Sequence, residues 1–183
     1  MAKSRPGGFT LVELMVTLTV LAILVGVALP SFRDMILNNR RTAIVNDLVS
    51  SLLLARSEAI KRGQPVSVCA SSPGGSSNCA GGTNWTQGWV VFVDPDGNGG
   101  IAAPGDALRQ FVNDASNAGL RVTAATSGAG HFTLRPFNQS GTAGNLTVCD
   151  TRGPAQGRRV CVQSNGRARV SQLACDNTAL TCP

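Results

Sequence analysis

Two groups of residues in this chain stand where simple packing gives no reason for them. The first is Glu13, the single charge within the apolar run of residues 9–29. A carboxylate inside hydrocarbon costs on the order of 3 kcal/mol, so it needs a partner. A cut between Gly8 and Phe9 would create one, a positively charged α-amine at Phe9. That amine would lie about one helical turn from Glu13 of its own chain, or against Glu13 of a neighbour in a bundle. The second group is Gly166-Arg167-Ala168-Arg169. In an extended strand, residues two apart project to one face. Arg167 and Arg169 would then sit about 7 Å apart, a spacing comparable to neighbouring phosphates on one nucleic-acid strand. Gly166 allows a turn and a close backbone approach to a ligand.

The charge distribution supports the second group. The chain has 183 residues and a formal net charge of +6. From residue 115 onward there are seven arginines, Arg121, Arg135, Arg152, Arg158, Arg159, Arg167 and Arg169, and no lysine. Only Asp150 and Asp176 oppose them, leaving +5 on this third of the chain. If Cys149 and Cys161 are bridged, Arg152, Arg158 and Arg159 lie on or beside one closed hairpin. A following strand with Arg167 and Arg169 could pair with it and complete a rigid arginine face for phosphate contacts. Binding of this kind is electrostatic and indifferent to base sequence. No recognition helix carries the arginines and no row of aromatics forms a stacking platform, so double-stranded DNA is the expected partner.

Other chemistry is poorly supported. His131 is the single histidine, no serine or cysteine has a recognisable activating base, and no phosphate-binding glycine loop ends in Lys-Ser/Thr. An enzyme is not expected, nor a cofactor. The turn Asp94-Pro95-Asp96-Gly97-Asn98-Gly99 resembles the start of a calcium loop. However, its twelfth position is Gly105 instead of the bidentate glutamate, and a hairpin turn explains the same residues. No metal is expected. The six cysteines, Cys69, Cys79, Cys149, Cys161, Cys175 and Cys182, read as three disulfides in an oxidising compartment. Spacing suggests Cys69–Cys79, Cys149–Cys161 and Cys175–Cys182, one of fifteen possible connectivities.

The elements that position these groups follow from the pattern. Residues 9–29 span about 31 Å as a helix, enough for a bilayer core. Beyond Pro30, which should kink the helix, Ile36, Ile44, Leu48, Leu52, Ala55 and Ala59 form one apolar stripe, with Arg40, Arg41 and other charges mostly away from it. Gly63 and Pro65 end the helix. Short β-like runs then follow at 66–70, 88–93, 108–112, 120–124, 131–135, 146–149, 159–163 and 167–170. Residues 71–82 read as a loop, and the tail from Leu173 as a coil. The expected architecture is α+β, a long N-terminal helix packed on a two-sheet antiparallel β domain. Its parts are a leader (1–8), a membrane or filament-core half-helix (9–30), an amphipathic half-helix (31–63) and a disulfide-stabilised β-rich domain (64–183).

The stretch Gly8-Phe9-Thr10-Leu11-Val12-Glu13, with Lys3 and Arg5 before it and Pro30 beyond, resembles the signal of type IV pilins and pseudopilins. The resemblance implies a prepilin peptidase that cleaves after Gly8 and methylates the amine of Phe9. It also implies assembly with other pilins in which Glu13 is used in docking. The chain would be a single-pass protein of the bacterial inner membrane with a periplasmic C-terminal domain, and later part of an extracellular pilus. Trp85-Thr86-Gln87-Gly88-Trp89, running into the Asp-rich turn, looks like the FimT/GspH minor pilins, although the two tryptophans are also explained by core packing. Gly166, Arg167 and Arg169 resemble the C-terminal DNA-binding motif of the FimT subgroup, which implies DNA uptake in natural transformation. The alternative is a GspH-like pseudopilin of the type II secretion system with no DNA role.

Overall fold

The computed structural model describes residues 8–72, 76–112, 119–126, 130–137 and 141–182. Residues 1–7, including Lys3 and Arg5, lie outside the described residues. The chain divides into two units, Met1–Asn39 and Arg40–Pro183. A single helix, α1 (Leu11–Arg62), supplies the described helix of both, and its assignment runs through Pro30 without a break.

The first unit starts from Thr10. The Glu13 amide donates to the Thr10 hydroxyl at 3.2 Å, and the Leu14 amide to the Thr10 carbonyl at 3.1 Å. Thr10 is therefore the N-cap, and Glu13 occupies the third helical position favoured for a carboxylate at the positive helix end. Further along the apolar run, the hydroxyls of Thr17 and Thr19 donate to the carbonyls of Leu14 and Met15. Their polar groups are thus satisfied within the helix, as a water-free surrounding requires. The large apolar side chains from Phe9 to Leu29 are exposed, and the segment is long and apolar enough to cross a membrane.

In the second unit, Ile44, Val45, Leu48, Leu52, Ala55 and Ala59 of α1 are buried in one core cluster with both sheets. The expected stripe is there from Ile44 onward, while Ile36 belongs to the first unit and is only half-buried, and Gly63 (φ 65°) ends the helix in the left-handed conformation that glycine tolerates. Arg41 differs from expectation. It is buried, one turn before Ile44 and Val45 on the same helical face, instead of being solvated.

Nine strands follow among the described residues: β1 (Val66–Ser72), β2 (Ser76–Cys79), β3 (Gly88–Val93), β4 (Ala107–Val112), β5 (Arg121–Thr126), β6 (His131–Leu134), β7 (Gly144–Cys149), β8 (Arg158–Val162) and β9 (Ala168–Ser171). All pairings are antiparallel. One sheet has the order β2-β1-β3-β4 with β6 also beside β1, and the other has the order β5-β7-β8-β9. The expected α+β architecture with two antiparallel sheets is what forms. β2 was not expected. It lies in the Gly/Ser stretch, where its polar composition hides it, and it pairs with β1 across the Cys69–Cys79 disulfide.

The Trp-x-x-Gly-Trp block has a packing explanation. Gly88 donates its amide to the Trp85 carbonyl at 3.1 Å and adopts φ 127°, closing a turn that an L side chain would strain. Both indoles are buried. Trp85 meets Phe132 edge-on, and Trp89 stacks on Phe111. The Trp89 Nε1–H donates to the Ser51 hydroxyl at 2.7 Å, tying β3 to the buried face of α1.

Candidate nucleic-acid interface

The second sheet fixes where each arginine goes. Val160 and Val162 of β8 belong to the core, so Arg159 and Cys161 between them face outward. On β9, Arg169 lies opposite Cys161 and Ser171 opposite Arg159. Directly opposed residues share a face, so Arg159 and Arg169 are on one side of the sheet. Arg167 precedes β9, but its carbonyl accepts the Gln163 amide at 3.0 Å and so extends the pairing by one step. Arg167 and Arg169 are exposed and, with Gln163 and Ala168, line one depression of ≈ 300 Å³. Among the described residues, no carboxylate forms an ion pair with either. Arg121, opposite Cys149 on β5, is exposed on the same outer face.

Gly166 closes the hairpin. Its amide donates to the Gln163 carbonyl at 2.8 Å, and its φ of 75° is the left-handed position of a three-residue hairpin loop. Its close approach is to the protein itself and not to open space. A Cβ there would stand 3.1 Å from Leu134 Cδ2 and 3.6 Å from Arg56 Cδ. The glycine thus presses the turn onto α1 and β6 and thereby aims the two arginines that follow.

Arg152 and Arg158 do not join this face. Arg158 alternates with Arg159 and turns to the core side, where its Nη1 donates to the Gly157 carbonyl at 2.8 Å. Arg152 folds back on Asp150, with its Nη2 2.6 Å and Nε 3.2 Å from the two carboxylate oxygens. Arg41 of α1 approaches the same carboxylate at 3.5 Å. The side chains of Arg41 and Asp150 are buried. The hydrogen bonds from Arg152 outweigh burial and hold the Asp150 carboxyl below its ordinary value of 3.8. Arg159 donates through Nε to the Thr147 hydroxyl at 2.9 Å, and Asp176 lies within its electrostatic reach.

Two of the expected disulfides are corrected. Cys69–Cys79 forms as expected, but Cys149 is joined to Cys182 and Cys161 to Cys175. The register explains this. Cys161 lies opposite Asn145, so Cys149 is four residues further along the ladder, about 13 Å away and beyond disulfide reach. Both strand cysteines face outward and reach the tail instead. The tail is therefore fastened across the outer face at two points, with Leu180 buried against Gly157.

The Asp-rich turn is held by its own groups. Asp94 is fully buried. Its carboxylate accepts from the Ser67 hydroxyl at 2.5 Å and from the amides of Asn98 and Gly99 at 3.1 and 3.0 Å. Asp96 accepts from the Asn98 side chain at 2.6 Å. These bonds give every acidic residue of the turn a structural task. His131 packs its ring against Gly99, where a Cβ would have no room.

Beside the Gly166 turn lies a second depression, of ≈ 380 Å³, lined by Arg56, Ile60, Arg135, Phe137 and Asn165. These residues come from α1, the chain just after β6 and the β8–β9 turn, and no local motif links them.

A long helix whose C-terminal half packs on two antiparallel sheets is the pilin architecture. It matches two crystal structures of the type IV minor pilin FimU from Pseudomonas aeruginosa (strain PAO1). One match has a TM-score of 0.51 and 22% identity over 71% of this chain and 91% of that one; the other has 0.53 and 24% over 73% and 89%. The chain belongs to the family described as type II transport protein GspH, whose model matches residues 45–166. Residues 3–29 match the prokaryotic N-terminal methylation motif. Prepilin peptidase-dependent protein D of Escherichia coli (strain K12) is 34% identical over 84 residues, a match that spans about half of each chain, 46% of this one and 49% of that one.

Proposed function

We propose that this protein is a minor type IV pilin that assembles into a pilus and binds double-stranded DNA for uptake in natural transformation. On this reading prepilin peptidase cuts between Gly8 and Phe9 and methylates the new amine. Glu13 then pairs with such an amine as subunits leave the inner membrane for the filament. The methylation motif and the N-capped apolar helix support this part. DNA would meet Arg167 and Arg169, with Arg159 beside them and Gly166 setting their direction. Arg152 and Arg158 would act from the rim, since both already hold protein partners.

The observation that carries the DNA reading is the exposed Arg167–Arg169 pair in one depression on the open edge of the second sheet. The family match favours a second reading, a GspH-like pseudopilin of type II secretion, for which this pair has no evident use. Duplex binding by the full chain in neutral detergent micelles, across a salt series, separates them. Wild type should bind with a steep salt dependence. Arg167→Ala/Arg169→Ala should flatten the log-log slope by about 1.8, two contacts at about 0.9 each. Equal slopes would remove the pair from the interface, and no binding at low salt would favour the secretion reading.

A further inference from the structure

The second depression has a feature that phosphate contacts do not use. Phe137 is 75% exposed, the one exposed aromatic among the described residues of the second unit. Its backbone is left-handed, with φ 54°, a conformation that disfavours a bulky side chain. Strained backbone positions cluster at ligand clamps and functional surfaces, and this one holds an aromatic ring in water. Ile60 beside it is half exposed, which makes one wall apolar. The other walls carry cations, Arg56 and Arg135. Arg135 reaches toward the Gly97 turn, where a Cβ would lie 2.9 Å from its Nη2.

The depression also touches the arginine pair. Asn165 lines it, and Asn165 Oδ1 accepts the Arg167 amide at 3.0 Å. The stem of Arg56 lies 3.6 Å from the Cβ position of Gly166. The two depressions therefore both border the β8–β9 turn, Asn165 lining one and Gln163 and Arg167 the other. One offers an aromatic and apolar wall between guanidiniums, and the other offers two guanidiniums with no aromatic among the described residues that line it. An unpaired nucleotide presents the complementary set, a flat π-face and flanking phosphates.

We infer that the Arg56–Ile60–Arg135–Phe137 depression takes an unpaired nucleobase, at a strand end or in single-stranded DNA, stacked on Phe137 with its phosphates on Arg135 and Arg56. This inference rests on the DNA-binding reading above. It adds a preference that the arginine pair cannot supply, because a closed duplex keeps its bases stacked inside. A DNA end would be held by its base on Phe137 while the following backbone runs on to Arg167 and Arg169.

The test uses the full chain in neutral detergent micelles and two labelled probes, a short oligothymidine and a relaxed, covalently closed circular duplex with neither ends nor loops. Phe137→Ala should weaken oligothymidine binding about tenfold, leave binding of the closed circle unchanged and keep the salt slope on both. Phe137→Trp should retain or tighten oligothymidine binding. Arg135→Ala should lower the single-strand salt slope by about 0.7. The inference is overturned if Phe137→Ala leaves oligothymidine binding unchanged or weakens both probes equally. It also fails alone if wild type binds the closed circle through Arg167 and Arg169 but not the oligothymidine. If wild type binds neither probe, the DNA reading itself fails, and this one with it.

Discussion

At Asp150 one buried carboxylate answers two guanidiniums, Arg152 from its own turn and Arg41 from α1. A lone buried cation is costly, so removing the carboxylate charge should be worse than losing a surface pair. Asp150→Asn is expected to destabilise the protein by roughly 3–5 kcal/mol, a large share of a typical domain's stability. Denaturant unfolding followed by the fluorescence of the buried Trp85 and Trp89 measures this, and a loss below about 1 kcal/mol, the range of exposed pairs, would show that the pair is effectively solvated. The pH dependence has a definite sign. The folded pKa lies below the ordinary value of 3.8, so the contribution is complete above that value and is lost as pH falls through the lower, folded one. Wild type should therefore lose stability below about pH 4 through this group, and Asp150→Asn should lack that part of the acid transition.

The disulfides show what a sequence exposes at the scale of elements. The helix was legible because Ile44, Leu48, Leu52, Ala55 and Ala59 repeat at its period and Gly63 stops it. Most strands were legible from β-branched runs between glycines. Cysteine pairing was not, because it depends on strand register, and spacing alone cannot tell Cys149 facing Cys161 from Cys149 four residues out of step with it. The arginine face was half legible for a related reason. Alternation places Arg167 and Arg169 together and separates Arg158 from Arg159, but the folding of Arg152 back onto Asp150 two residues away is a turn conformation that alternation does not give. Phe137 and Arg56 required the fold. Peptide mapping without reduction should yield Cys149 joined to Cys182 and Cys161 joined to Cys175, and a Cys149–Cys161 peptide would contradict the register of β7 and β8. Replacing Cys161 and Cys175 by serine should cost about 3 kcal/mol, since the bond closes a loop with a sequence separation of 14. It should also loosen the tail over Arg159, detectable as faster amide exchange in residues 172–181.

At the scale of the molecule, the two units divide the work. The second unit holds the core, all three disulfides and the arginine surface; the first holds an exposed apolar helix with one carboxylate in its first turn. Glu13 belongs to the first unit, so its charge can be removed without altering any residue of the second. On the proposed reading its partner is a methylated amine on a neighbouring subunit, a charge pair worth most where water is excluded. Glu13→Gln keeps the size and the helical position but removes the charge. The variant should therefore unfold at the wild-type denaturant midpoint, show the same disulfide map and bind duplex DNA with an unchanged salt slope. It should nevertheless fail to enter sheared pilus fractions when expressed in place of wild type. A shift in the unfolding midpoint would mean that Glu13 contributes to the fold of the single chain. Normal recovery of the variant in pili would mean that the carboxylate charge is not what docks the subunit, and the capping role beside Thr10 would then account for its place in the helix.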